Sequence, residues 1–155
     1  MNKEQSPLVS IGVPVYNGQF RVVPSEVVLA DVSAQIAAGA GHITFGDPDF
    51  FNGPTHAVRV VTAFHEAHPT ITYDATIKVE HLLKHRALLP VLRDTGCLFV
   101  TSAVESLDDH VLLLLEKGHT RQDFFDVAAL CRDEHTASFE MGIDIVPIEI
   151  GLREK

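Results

Sequence analysis

HITFGDPDFFNGPTHA, residues 42 to 57, passes from a short β-branched and aromatic run to a turn and then to a helix start. Ile43, Thr44 and Phe45 suit a strand, because branched and aromatic side chains pack well on a pleated surface. Gly46-Asp47-Pro48-Asp49 is turn chemistry. Asn52-Gly53-Pro54 opens a helix, since proline fits the first helical position, and Ala57, Val58, Val61 and Phe64 form its buried stripe. Strand, loop and helix in this order make one βα unit.

The unit recurs on both sides. Downstream, Pro69 pushes His68 out of the helical region and residues 71–77, ITYDATI, form a second strand. Lys78 to Asp94 is helical in pattern but contains Pro90, which predicts a short helix, a break and a second helix closed by Gly96. Cys97 to Val104 is the next strand. Ser106-Leu107-Asp108-Asp109 has the form of a capping box for a helix over Val111 to Glu116, and Thr120-Arg121-Gln122-Asp123 repeats the device before Phe124 to Arg132. Upstream, Ser25 in Pro24-Ser25-Glu26 is placed to cap a helix whose stripe is Val28, Leu29, Val32 and Ile36, and Gly39 and Gly41 stop it. Leu8 to Tyr16 offers a leading strand that Pro14 confines to an edge. Ile143 to Ile150 alternates apolar and polar residues but carries Pro147, which weakens it as a strand. Strand starts near 43, 71 and 97 recur every 26 to 28 residues with helices between them, the rhythm of right-handed βαβ units. The class is α/β with a parallel sheet, in a single domain over 1–155.

Composition narrows the partners. Twelve Lys and Arg against 21 Asp and Glu give a net charge of −9, and Lys84-His85-Arg86 is the nearest approach to a basic cluster. Nucleic acid and anionic membrane need a contiguous positive face, so neither is an expected partner. No apolar run approaches the ~20 residues that cross a bilayer, and a cytoplasmic protein is expected. Cys97 and Cys131, 34 residues apart, match no zinc or redox spacing and read as buried thiols of a reducing compartment.

In parallel sheets ligands gather at the carboxyl ends of the strands. That places Gly46, Asp47 and Pro48 on the binding side, with Asp74 or Lys78 ending the next strand and Ser102 to Glu105 the one after. A carboxylate beside a glycine suits a ligand's ammonium group. Glu105 suits ribose hydroxyls or a cation. The pairs His65/His68 and His81/His85 share helical faces with Glu66 and Glu80, yet His65-Glu66-Ala67-His68 is one residue short of the zinc-peptidase spacing, so ordinary packing roles are expected. The chain carries neither a G-x-S-x-G elbow, nor a Walker loop, nor a GxGxxG run.

The segment VPVYNGQFRVVP, Val13 to Pro24, followed by HITFGDPDFFNGP, TIKVEHLLKH and SAVESLDDHVLLLLEKGHT, resembles the radical S-adenosylmethionine (radical SAM) superfamily. In detail it resembles the branch named for a CUAEP or CCAEP tail, from about Val13 to Arg132. The resemblance implies a partial (βα) barrel, of which this chain would supply about four or five units, around S-adenosylmethionine and a four-iron, four-sulfur cluster. It also implies cofactor contacts for Gly46, Asp47 and Pro48 at the amino group and for Ser102 and Glu105 at the ribose or methionyl portion. The superfamily's cluster cysteines, spaced C-x3-C-x2-C, would fall near Lys3, Pro7 and Ser10, and none of these is a cysteine. Thiolates hold such clusters, so the family's ligands are missing here and this chain is not expected to bind the cluster on its own.

Residues 1–12 and 134–155 diverge from the resemblance. The expectation is therefore a truncated radical SAM-like domain with a vestigial S-adenosylmethionine pocket, taking a small-molecule ligand and open to self-association through unpaired sheet edges. Two alternatives stand beside it. One is an interaction or regulatory module that pairs with a full-length relative. The other is a non-redox βα enzyme that gathers Asp47, Asp49, Asp74 and Glu105 around a divalent metal or sugar phosphate.

Overall fold

The computed structural model describes residues 22–133 and 140–144. Helix α1 (Ser25–Ala37) precedes β1 (His42–Phe45), a 3-10 turn (Phe50–Asn52), α2 (Pro54–Ala67) and β2 (Thr72–Thr76). Then come α3 (Val79–Lys84), a second 3-10 turn (Arg86–Leu88), α4 (Leu89–Asp94), β3 (Cys97–Ala103), α5 (Asp109–Leu114), α6 (Arg121–Asp133) and β4 (Glu140–Asp144). All four strands are parallel, in the order β1-β2-β3-β4. The sequence-predicted leading strand at Leu8–Tyr16, the positions Lys3, Pro7 and Ser10, and most of Ile143–Ile150 lie outside the described residues.

Each strand pairs with the next one in sequence, so successive right-handed crossovers run in one direction and stack their helices on one face. Burial follows from this. Ile43, Phe45, Tyr73, Ala75 and Val100 point to the helical face and are buried, whereas His42, Thr44, Thr72, Thr76 and Thr101 on the opposite face are half-buried. A register shift lets Tyr73 stand opposite Cys97 while Asp74 stands opposite Phe99. The extra residue in β3 keeps both strands' apolar sets on the same side.

The centre of the core is aromatic. Phe45 stacks on Phe50 at 5.1 Å and meets the edge of Tyr73 at 5.4 Å, and Phe64 meets Tyr73 at 5.7 Å with the rings perpendicular. Edge-to-face contacts of this kind suit the ring quadrupoles. The one polar atom in the cluster is satisfied: the Thr95 hydroxyl donates to the Val91 carbonyl at 2.7 Å and lies 2.9 Å from the Tyr73 hydroxyl. Burial pushes the Tyr73 phenol well above its ordinary value, so it stays neutral.

Local expectations hold where they depend on near neighbours. The expected break falls between α3 and α4, with Pro90 in the first turn of α4, and Gly96, with φ of 94°, closes α4. The Thr120/Asp123 box is reciprocal, with the Thr120 N–H donating to Asp123 at 2.7 Å and the Asp123 N–H to the Thr120 hydroxyl at 3.2 Å; the Thr120 hydroxyl, donating to the carboxylate at 2.7 Å, and then the Thr120 N–H hold the Asp123 carboxyl below its ordinary value. Two capping assignments need correction. Ser25 is the first residue inside α1, behind Pro24, and makes no cap. Before α5 the cap is Asp108, which accepts the N–H groups of His110 and Val111 at 2.8 and 3.2 Å, while Ser106 accepts the Asp108 N–H from one turn outside. A carboxylate at this position outcompetes a hydroxyl because it also meets the positive end of the helix.

Helix α5 ends in a left-handed residue that is not glycine. Glu116, with φ of 52°, donates to the Leu113 carbonyl and Lys117 to that of Leu112, the two bonds of a Schellman ending. A side chain is strained there and glycine is not. Glu116→Gly is therefore expected to raise the unfolding free energy by about 0.5–1 kcal/mol, read by urea denaturation. An unchanged or lowered value would mean that the Glu116 side chain compensates for its backbone.

Candidate functional site

The loops after β1, β2 and β3 converge on one cavity of about 280 Å³. Pro48 comes from the β1 loop, Thr76, Ile77 and Lys78 from the end of β2, Ala103 from the end of β3, and Glu116, Lys117 and His119 from the segment between α5 and α6. The lining carries both charge signs. This is the carboxyl-end position where a parallel sheet collects ligands.

Gly46, Asp47 and Pro48 leave β1 at the rim. The Asp47 carboxylate accepts the Asp49 N–H at 2.9 Å through one oxygen, an Asx turn, and accepts no other hydrogen bond among the described residues. Its charge also reaches the first turn of α2: burial and then Arg59 hold the His56 imidazole below its ordinary value, and Asp47 opposes them. Asp49 turns the other way. It is buried, with one oxygen 2.8 Å from Nδ1 of His81 and 3.8 Å from the Lys78 ammonium, and the other 3.4 Å from the Lys78 N–H. Asp49 thus ties the β1 loop to the first turn of α3.

At the end of β3, Glu105 has φ of 63° inside a three-residue turn closed by the Ser106 N–H on the Val104 carbonyl at 2.8 Å. A non-glycine residue there stores backbone strain, which the ion pair between the Glu105 carboxylate and the Lys117 ammonium helps to hold. Ser102 is 1% exposed, on the strand face shared with the buried Val100 and Val104, and its hydroxyl has no hydrogen-bond partner among the described residues. The rim therefore brings Pro48 and the ion-paired Lys117 to one cavity, with Asp47 and Glu105 each beside a lining residue, and leaves Ser102 on the other side of β3.

Two features were not read from sequence. His119 is 8% exposed; its Nδ1 lies 3.1 Å from the Lys117 carbonyl and its Nε2 is buried without a partner at the cavity. The neighbouring Gly118, with φ of 69°, sits so close to the Glu80 carboxylate that a side-chain carbon would overlap it. The second feature lies below the rim, where Asp74 is bound to His42 and Thr44 rather than facing the strand end.

Of the paired histidines, His68 lies 2.9 Å from the Ser33 hydroxyl, His81 meets Asp49 and His85 sets its ring edge-on to Phe51, while the buried Nδ1 of His65 has no hydrogen-bond partner among the described residues. Asp47, Asp49, Asp74 and Glu105 do not gather. Among the described residues no group of three or more His, Cys, Asp or Glu side chains could hold a metal ion. Cys97 and Cys131 are both buried, and burial pushes the Cys97 thiol up to about 12; two thiols are too few to make up the cysteine set that holds an iron–sulfur cluster. Among the described residues no helix is long and apolar enough to cross a membrane.

No family model and no curated protein matches the sequence. Solved structures do match. The cobalamin-dependent S-adenosylmethionine radical enzyme OxsB, with aqua-cobalamin and S-adenosylmethionine bound, is similar over 81% of this chain and 20% of its own, with a TM-score of 0.64 and 16% identity. The radical S-adenosylmethionine methyltransferase TsrM from Kitasatospora setae, with cobalamin and a [4Fe-4S] cluster bound, is similar over 83% of this chain and 24% of its own, with a TM-score of 0.59 and 16% identity. This chain thus spans about a quarter or less of the length of each enzyme. At that identity what is shared is architecture: the four-stranded parallel α/β arrangement has the fold of a portion of these radical enzymes.

Proposed function

We propose that this domain is a section of an incomplete radical SAM-type (βα) barrel that keeps an S-adenosylmethionine pocket at the carboxyl ends of β1 to β3. The observation that carries the reading is the convergence of three strand-end loops on one charged cavity in a fold shared with S-adenosylmethionine radical enzymes. Asp47 holds the ligand's ammonium group with the oxygen its own loop does not use. Gly46 and Pro48 let the main chain approach, Glu105 accepts from hydroxyls, and Ser102 enters through its backbone alone. The two cysteines do not fit a cluster, so the reading is one of binding and carries no radical step.

Titration calorimetry with S-adenosylmethionine tests it. Wild type is expected to give a saturable heat. Asp47→Asn keeps an oxygen for the Asp49 N–H while removing the charge, and is expected to weaken binding about 10- to 100-fold, the worth of a charge-assisted hydrogen bond. No heat from wild type, or equal affinity for the variant, would remove the pocket or Asp47 from it.

A further inference from the structure

The face of the sheet turned away from the helices carries a built polar cluster within the first three residues of β1 and β2, apart from the cavity at the rim. Nε2 of His42 lies 2.8 Å from Oδ1 of Asp74, the Thr44 hydroxyl donates to the same oxygen at 2.7 Å, and Nδ1 of His42 lies 2.8 Å from the Thr72 hydroxyl. The Phe99 ring stacks beside the imidazole at 6.2 Å. Asp74 is 6% exposed, yet both of its bonds fall on Oδ1, and Oδ2 has no hydrogen-bond partner among the described residues.

The chemistry fixes most of the roles. A carboxylate only accepts, so Nε2 of His42 carries the proton toward Asp74, and a neutral ring then takes the Thr72 hydroxyl proton on Nδ1. In that state the cluster bears one net negative charge. The residue as a whole is buried, yet Oδ2 is not sealed from solvent, so it stands open to a donor from outside. Here two donors lock one oxygen and orient the other. The surrounding face fits a wet, ligand-lining surface better than a core: Thr76 stands opposite Thr101 in the next row, and no lysine or arginine lies on these two rows of β1 to β3 to satisfy the charge.

We propose that Asp74, held by His42 and Thr44, is a binding site for a protonated primary amine on the inner face of the sheet. The ammonium donates to Oδ2, and its alkyl stem lies toward the Phe99 ring. The site does not depend on S-adenosylmethionine binding at the rim, and the rim variant Asp47→Asn is expected to leave it intact.

The test is NMR of the His42 ring signals at fixed pH and ionic strength, with n-propylammonium as the probe and 1-propanol as its uncharged counterpart. Wild type is expected to show a saturable shift of the His42 signals with n-propylammonium, at least tenfold weaker with 1-propanol. Asp74→Asn keeps the oxygen that serves Thr44 and His42 but loses the charge, and is expected to weaken the response at least tenfold. Equal responses in that variant, or to the alcohol, would overturn the proposal. A second measurement needs no variant: at saturation in wild type, nuclear Overhauser contacts are expected between the probe's methylene protons and the Phe99 or His42 ring, and their absence would also overturn it.

Discussion

Replacing Phe64 by alanine is expected to lower the unfolding free energy by about 3–5 kcal/mol, measured by urea denaturation. The ring is fully buried on α2 and touches two strands through their aromatic residues, Phe45 of β1 and Tyr73 of β2. No small rearrangement closes the space it leaves, because Phe45 and Tyr73 are themselves fixed, the first by Phe50 and the second by Thr95. Domains of this kind are stable by about 5–15 kcal/mol in total, so the variant sits near the edge of folding. Phe64→Leu, which retains most of the volume, is expected to cost markedly less. A loss below about 1 kcal/mol for alanine would mean that the aromatic cluster does not organise the core.

Asp49→Ala is expected to cost about 2–3 kcal/mol and to weaken S-adenosylmethionine binding at the same time. The substitution removes the carboxylate that lies 2.8 Å from the buried Nδ1 of His81, a close ion-pair contact and not an aligned hydrogen bond, and removes the contact with the Lys78 N–H at the start of α3. Asp49 also donates its own N–H to Asp47, so the loop that carries Asp47 and Pro48 loses its attachment to the helix. The measurements are urea denaturation and calorimetry on the same samples. Asp49→Ala should move both, whereas Asp47→Asn should move binding with little change in stability. Adding His81→Ala to Asp49→Ala should cost less than the sum of the two single changes, since each alone already breaks the pair. Strict additivity would show that the pair is not coupled.

How much was legible from sequence depended on how far a residue's partner lies along the chain. The Pro90 break, the Gly96 stop and the Thr120/Asp123 box were readable because each rests on atoms within a few residues. Ser25 and Ser106 misled because a hydroxyl near a helix start is a frequent signal, and only the local backbone decides which residue stands at the cap. The strand-end position of Asp47 was readable from the βα rhythm. Asp49, two residues further on, looked equivalent and is not, because its carboxylate turns to His81 on α3 instead of to the cavity.

The sequence by itself determined that this protein alternates parallel strands with helices, since hydrophobic period, proline and glycine act over one or two turns of chain. Only the tertiary structure decided which polar side chains meet. His42 and Asp74 are 32 residues apart, and Thr44 and Asp74 are 30. They share a face because β1 and β2 pair in one unshifted register, and the extra residue of β3 beside Tyr73 brings Phe99 to the same side. A slip of one residue would have sent that carboxylate into the aromatic core.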